Sequence, residues 1–140
     1  MSELLTQIDQ QHKLLFVALF SIVQKKAHSI NVANGWWDRR RRQREDLVAA
    51  GWNETDLNAL FGINLIGLQG TELSEGIEAL RKPVHPVTST EPHSLSRELA
   101  GCIVRIMDLA QEYNIPVAEA VLAELDTNAG RGHMHGGNVA

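Results

Sequence analysis

Thr71–Pro83 reads TELSEGIEALRKP, and Arg97–Leu109 reads RELAGCIVRIMDL. In the first stretch Glu72, Glu75 and Glu78 recur every third residue. At about 100° per residue they lie about 60° apart on a helix and share one face. Leu68 and Ala79 project into the same sector, so this acidic stripe is expected to be partly buried. In the second stretch Glu98, Gly101, Arg105 and Asp108 follow the same three-or-four spacing, with Leu99, Ile103, Ile106 and Leu109 as the apolar side. Both stretches carry the period of a helix, and an antiparallel pair of such helices would bring the two acid stripes together.

Working outward, the composition agrees with an all-α protein. Aromatic residues make up 5% of the chain, and 44% of residues are apolar against 21% charged. Three of the four prolines fall within Pro83–Pro92. Leu, Ile, Val and Ala without strand-forming aromatics favour helices. A length of 140 residues suits one domain, 1–140, with a glycine-rich tail over 128–140. Four to five helices are expected. The first runs from about Glu3 to Val32 and stops at Asn34-Gly35. A second covers WWDRRRRQREDLVAA. A third is capped by Asn53 or Thr55 and stops before Pro83. A fourth is capped by Ser94 or Ser96 and reaches about Tyr113. A last one opens at Pro116 and ends near Thr127.

The apolar run Leu14–Val23 is too short for a bilayer, which takes about 20 residues, and is read as a core helix. The net charge of -4 argues against a nucleic-acid partner. Cys102 is alone, which excludes an intrachain disulfide; it is read as a small buried apolar residue, in keeping with a reducing cytoplasm.

Buried neighbouring carboxylates repel one another unless a cation sits among them. Oxygen ligands without cysteine or a histidine pair suit Mg²⁺, or Mn²⁺, better than zinc. Mg²⁺ shares its shell with phosphates, so phosphoanhydride hydrolysis is the natural chemistry. The competing reading of such a stripe is a solvated face paired with Arg81 and Lys82.

The chain resembles the MazG-like all-α nucleoside triphosphate pyrophosphohydrolases, whose signature is ExxE followed by ExxD. The landmarks are GWWD at Gly35–Asp38, ELSEGIEALRK at Glu72–Lys82, RELAGCIVRIMDLA at Arg97–Ala110 and NAGRGHMHGG at Asn128–Gly137. The resemblance implies an oligomeric helical bundle, a homodimer or homotetramer, that binds Mg²⁺ and cleaves a nucleoside triphosphate to the monophosphate and pyrophosphate. It implies Glu72, Glu75 and Glu98 as metal ligands and Glu75 and Glu78 as the catalytic acids. It also implies Asn128, Arg131 and His135 as contacts to substrate, with Trp37 alongside them.

Two positions depart from the pattern. Gly101 stands where the family has the last aspartate of ExxD, and Glu124 stands where it has a lysine. Glu124 is therefore expected to supply the carboxylate that Gly101 lacks. The alternative is a bundle that binds nucleotide or protein without turnover.

Three further features remain. The run Arg39–Arg42 with Arg44 is flanked by Asp38, Glu45 and Asp46, and is read as a solvated or interface-pairing segment before a phosphate patch. Trp36 and Trp37 are read as packing anchors, with base stacking as the functional option. Arg105 and Asp108 are read as a local ion pair.

Overall fold

The computed structural model describes residues 8–131, and among these the secondary structure is entirely helical. Five helices follow in order: α1 (Gln10–Ala33), α2 (Trp36–Ala49), α3 (Glu54–Arg81), α4 (Leu95–Glu112) and α5 (Val117–Gly130). No helix among the described residues is long and apolar enough to cross a membrane.

Local chemistry sets most boundaries. Asp9 accepts the His12 N–H at 2.9 Å, Asn53 accepts that of Asp56 at 2.9 Å, and Ser94 accepts that of Arg97 at 3.3 Å, each satisfying a donor that the first turn leaves open. Gly35, at φ +76°, lets α2 begin after only two intervening residues, Asn34 and Gly35. Pro83 forbids continuation of α3, and Pro116 sits immediately before α5. The expected start of α1 at Glu3 lies outside the described residues.

α4 packs chiefly against α3 and α1, while α1 also meets α2 and α5. The α1–α4 contact is polar. Gln24 donates to Gln111 at 3.1 Å, and Asn31 donates to Asp108 at 2.7 Å. His28 Nδ1 lies 2.7 Å from Asp108 Oδ1, and the Trp37 indole N–H donates to that same oxygen at 2.9 Å. Asp108 is buried and receives partners from two helices, which offsets its desolvation.

This arrangement corrects four expectations. Asp108 is not the partner of Arg105. Trp37 is a core residue, 2% exposed, so it offers no free face for a base. The run Leu14–Val23 does not form the core of the chain, because α1 turns Gln24, His28 and Asn31 toward α4 and leaves Leu14, Leu15, Leu19, Ile22 and Val23 exposed. Cys102 is half-buried rather than buried.

The arginine run is engaged as a pairing segment. Arg41 holds Glu112 through two hydrogen bonds, at 2.8 and 3.3 Å, and Arg44 pairs with Glu54. Arg40 lies over the Trp37 ring at 5.5 Å.

Candidate metal and phosphate site

α3 and α4 are brought together where α3 presents a glycine. A Cβ on Gly76 would stand 3.5 Å from Leu95 and 3.7 Å from Glu98 Cβ, so this position sits in ordinary contact with α4. Next to Gly76 and one turn before it on α3, Glu75 and Glu72 meet Glu98 from α4. One carboxylate oxygen from each lies within 4.8 Å of the others. Opposite corners of an octahedral Mg²⁺ shell are about 4.2 Å apart, from Mg–O distances of about 2.1 Å. Three carboxylate oxygens at this separation are the donor type that a hard cation takes.

The three acids are held differently. Glu98 is 8% exposed. Burial, then a hydrogen bond to Glu75 and the charges of Glu75 and Glu72, push its carboxyl above the ordinary range, against a smaller opposing effect of His93. Glu75 is exposed. The Glu72 side chain is 12% exposed, and its Oε1 receives Arg105 Nε at 2.6 Å and Nη2 at 2.5 Å. The other Glu72 oxygen occupies the space beside Gly101, where an added Cβ would collide with it. The position lacking an acid is thus filled by a neighbouring acid's own oxygen.

Glu78, expected to act with Glu75, has its carboxylate engaged by surface cations. It accepts from Arg81 at 2.7 Å and lies 3.8 Å from Lys82. It still shares an open groove with Thr71, Ser74, Glu75, His93 and Glu98. His93, at φ +64°, closes the loop before α4 on this side.

Glu124 does not join the three acids within the chain. It lies on α5, which packs on α1, and among the described residues it pairs with Arg131 at 4.0 Å. Asn128 and Arg131 stand exposed at the end of the same helix. His135 lies outside the described residues.

A second cavity of about 530 Å³ abuts the acids through Glu72 and Gly101. Its other walls include Asn31, Trp36, Arg40, Leu68 and Arg105. Trp36 is 64% exposed, so it has the free aromatic face that Trp37 lacks. Of the two tryptophans and the arginine run considered from the sequence, Trp36 and Arg40 line this cavity; Arg105, read only as a partner of Asp108, lines it as well. The only signal for Arg105 was its position four residues after Gly101, on the acid-bearing face of α4.

Comparisons with family models, with curated proteins and with solved structures find no match to this chain.

Proposed function

We propose that the chain is a Mg²⁺-dependent nucleoside triphosphate pyrophosphohydrolase of MazG-like type, a cytoplasmic, oligomeric nucleotide house-cleaning enzyme working as a homodimer or homotetramer. The observation that carries this reading is the convergence of Glu72, Glu75 and Glu98 from two helices onto one point.

In this reading the three carboxylates hold Mg²⁺, Mn²⁺ being an acceptable substitute, and the ion supplies positive charge to a polyphosphate and acidity to a water. Glu75 is exposed to the groove and is the acid best placed to accept the proton of the attacking water. The water oxygen bonds to the α-phosphorus, the bond to the bridging oxygen breaks, and pyrophosphate leaves. Glu98 is held by burial as a fixed ligand. The cavity beyond Glu72 has room for the nucleoside, with Trp36 as a stacking surface and Arg40 and Arg105 as cations near the phosphates.

A second reading, a bundle that binds nucleotide without hydrolysis, is favoured by one specific observation. Arg105 already neutralises Glu72, and Gly101 contributes no acid. A panel of canonical and modified triphosphates with Mg²⁺ separates the two. Pyrophosphate and monophosphate released by the native chain, and not by Glu75→Gln or in chelator, support hydrolysis. Metal-dependent binding without product supports the second reading, and neither binding nor product refutes both.

A further inference from the structure

The cavity beyond Glu72 changes character over one helical turn. On its acid side, Glu72 of α3 holds Arg105 of α4. One turn away along the same two helices stand Gln69 and Asp108, and Asn31 of α1 joins them in the wall. Each of these three polar side chains has its bonding partly filled from within the chain.

Gln69 is 8% exposed. Its carboxamide is satisfied only with the nitrogen turned back to its own helix, where the Ile66 carbonyl accepts at 2.6 Å and the Leu65 carbonyl also accepts. Both N–H groups are thereby used, which leaves the oxygen as the atom that can bond a ligand. Asp108 receives His28 and Trp37 on Oδ1 and Asn31 on Oδ2. A carboxylate offers about four such positions, so one acceptor position stays open on Oδ2. Because Asp108 accepts, the Asn31 nitrogen must face it, and Asn31 keeps its carbonyl oxygen and one N–H.

This part of the wall is therefore rich in acceptors. The guanidinium groups of the cavity are placed otherwise: Arg105 is paired with Glu72, and Arg40 lies over the Trp37 ring. Trp36 can stack on any base and so makes no choice among them. A base that brings an oxo group to Gln69 and Asp108 sets acceptor against acceptor and loses its bond to water without replacement. A base that brings an exocyclic amino group finds acceptors for both protons, and the bare ring nitrogen beside it can take the remaining Asn31 N–H. Cytosine and adenine carry that pair of atoms. Uracil and hypoxanthine differ from them by a single amino-to-oxo change and carry an oxo group beside a ring N–H.

We propose that this cavity selects an amino-bearing base, cytosine or adenine, over its oxo counterpart, with Gln69 Oε1 and Asp108 Oδ2 accepting the amino protons. The inference rests on the reading given above, that the cavity holds the nucleoside of a bound nucleotide.

The test compares triphosphates that differ only in that group, cytidine against uridine and adenosine against inosine, on the full chain with Mg²⁺. Pyrophosphate release gives kcat/KM. Calorimetry with the α,β-methylene analogues, which the proposed cleavage does not split, gives affinity without turnover. The amino member should lead each pair by at least about tenfold in both readouts. Pyrimidin-2-one riboside triphosphate, which has neither group, should fall between cytidine and uridine. Gln69→Met should cut the ratio at least about threefold by weakening the amino member, with native helix content by circular dichroism; if that variant unfolds, the pyrimidin-2-one analogue decides. Equal handling within the pairs, preference for the oxo member, a pyrimidin-2-one analogue as good as cytidine, or a folded Gln69→Met with the native ratio would overturn the inference and leave the nucleotide reading in place. Failure of every triphosphate to bind or react would overturn that reading and this inference with it.

Discussion

Replacing Glu98 by glutamine separates the stability of the acid cluster from its proposed work. The Glu98 oxygen lies at most 4.8 Å from one oxygen each of Glu72 and Glu75. A pair of unit charges at that distance repels by about 3.5 kcal/mol at an effective dielectric near 20 and about 0.9 kcal/mol in water. Arg105 neutralises Glu72, and Glu75 is exposed, so the smaller end of that range applies. Glu98→Gln keeps a donor toward Glu75 and removes a buried charge. It should stabilise the metal-free protein at neutral pH by about 1–2 kcal/mol, or about 3–6 °C in Tm at fixed protein concentration.

The sign against pH follows from the raised carboxyl of Glu98. Its contribution is most favourable below the ordinary value of 4.5, where folded and unfolded chains both hold the proton. It is lost as pH rises through the higher folded value, because the unfolded chain releases the proton first. The advantage of Glu98→Gln over the native chain should therefore be small in acid and grow toward neutrality. In Mg²⁺ the order should reverse, since the native chain gains about 2.7 kcal/mol at a hundred times the dissociation constant and the variant gains little. Paired melts from pH 4 to 8, in chelator and in Mg²⁺, read both effects. A variant less stable than the native chain at neutral pH in chelator would refute the repulsion argument; an equal Mg²⁺ shift in both would refute Glu98 as a ligand.

Arg105→Ala should cost about 1–2 kcal/mol in chelator by leaving Glu72 without its cation, and Mg²⁺ should restore most of that loss in thermal melts. Gly101→Asp, which rebuilds ExxD, should destabilise the metal-free chain by about 1–3 kcal/mol because it displaces Glu72 and adds a fourth acid, while strengthening Mg²⁺ binding in calorimetric titration. Trp37→Phe should cost about 1–3 kcal/mol in denaturant unfolding, since Asp108 loses a buried donor. Trp36→Ala should leave stability within about 0.5 kcal/mol and weaken nucleotide binding about tenfold, which fluorescence-independent calorimetry can measure.

The helices and their stops were legible because they are local events. Asn53, Ser94, Gly35 and Pro83 act on the backbone within a few residues of themselves, and each does so where the sequence placed it. The meeting of Glu72 and Glu75 with Glu98 was legible for a related reason, since two acid stripes on adjacent helices have few ways to pack. What failed was the choice among faces. Trp36 and Trp37 are adjacent in sequence and about 100° apart on a helix. Which one turns inward depends on Asp108, seventy-one residues on from Trp37. Arg105 and Asp108 are near enough on α4 to pair, yet each finds a stronger partner on another helix, Glu72 for one and Asn31 with Trp37 for the other. α1 follows the same rule: its leucines look like core, but Asp108 and Gln111 draw its polar side inward.

Gly101 bears on the site in a way that the acid count alone does not capture. With Arg105 set against Glu72, the fully ionised group carries a net charge of -2, and one of its acids is buried. On the proposed reading that is less charge than four acids would offer, so a divalent ion should be held weakly by the protein alone. Mg²⁺ commonly takes one or two carboxylates from a protein and completes its shell with water and substrate phosphate. On the proposed reading, the lack of a carboxylate at Gly101 would shift part of the metal binding onto the triphosphate rather than end it. Arg105 adds to that shift, because its side chain is 43% exposed and can leave Glu72 for an incoming phosphate. On this reasoning, Mg²⁺ and nucleotide should bind with strong mutual cooperativity, each weakly when alone, whereas a site that has merely lost a ligand would show weak metal binding that nucleotide does not improve.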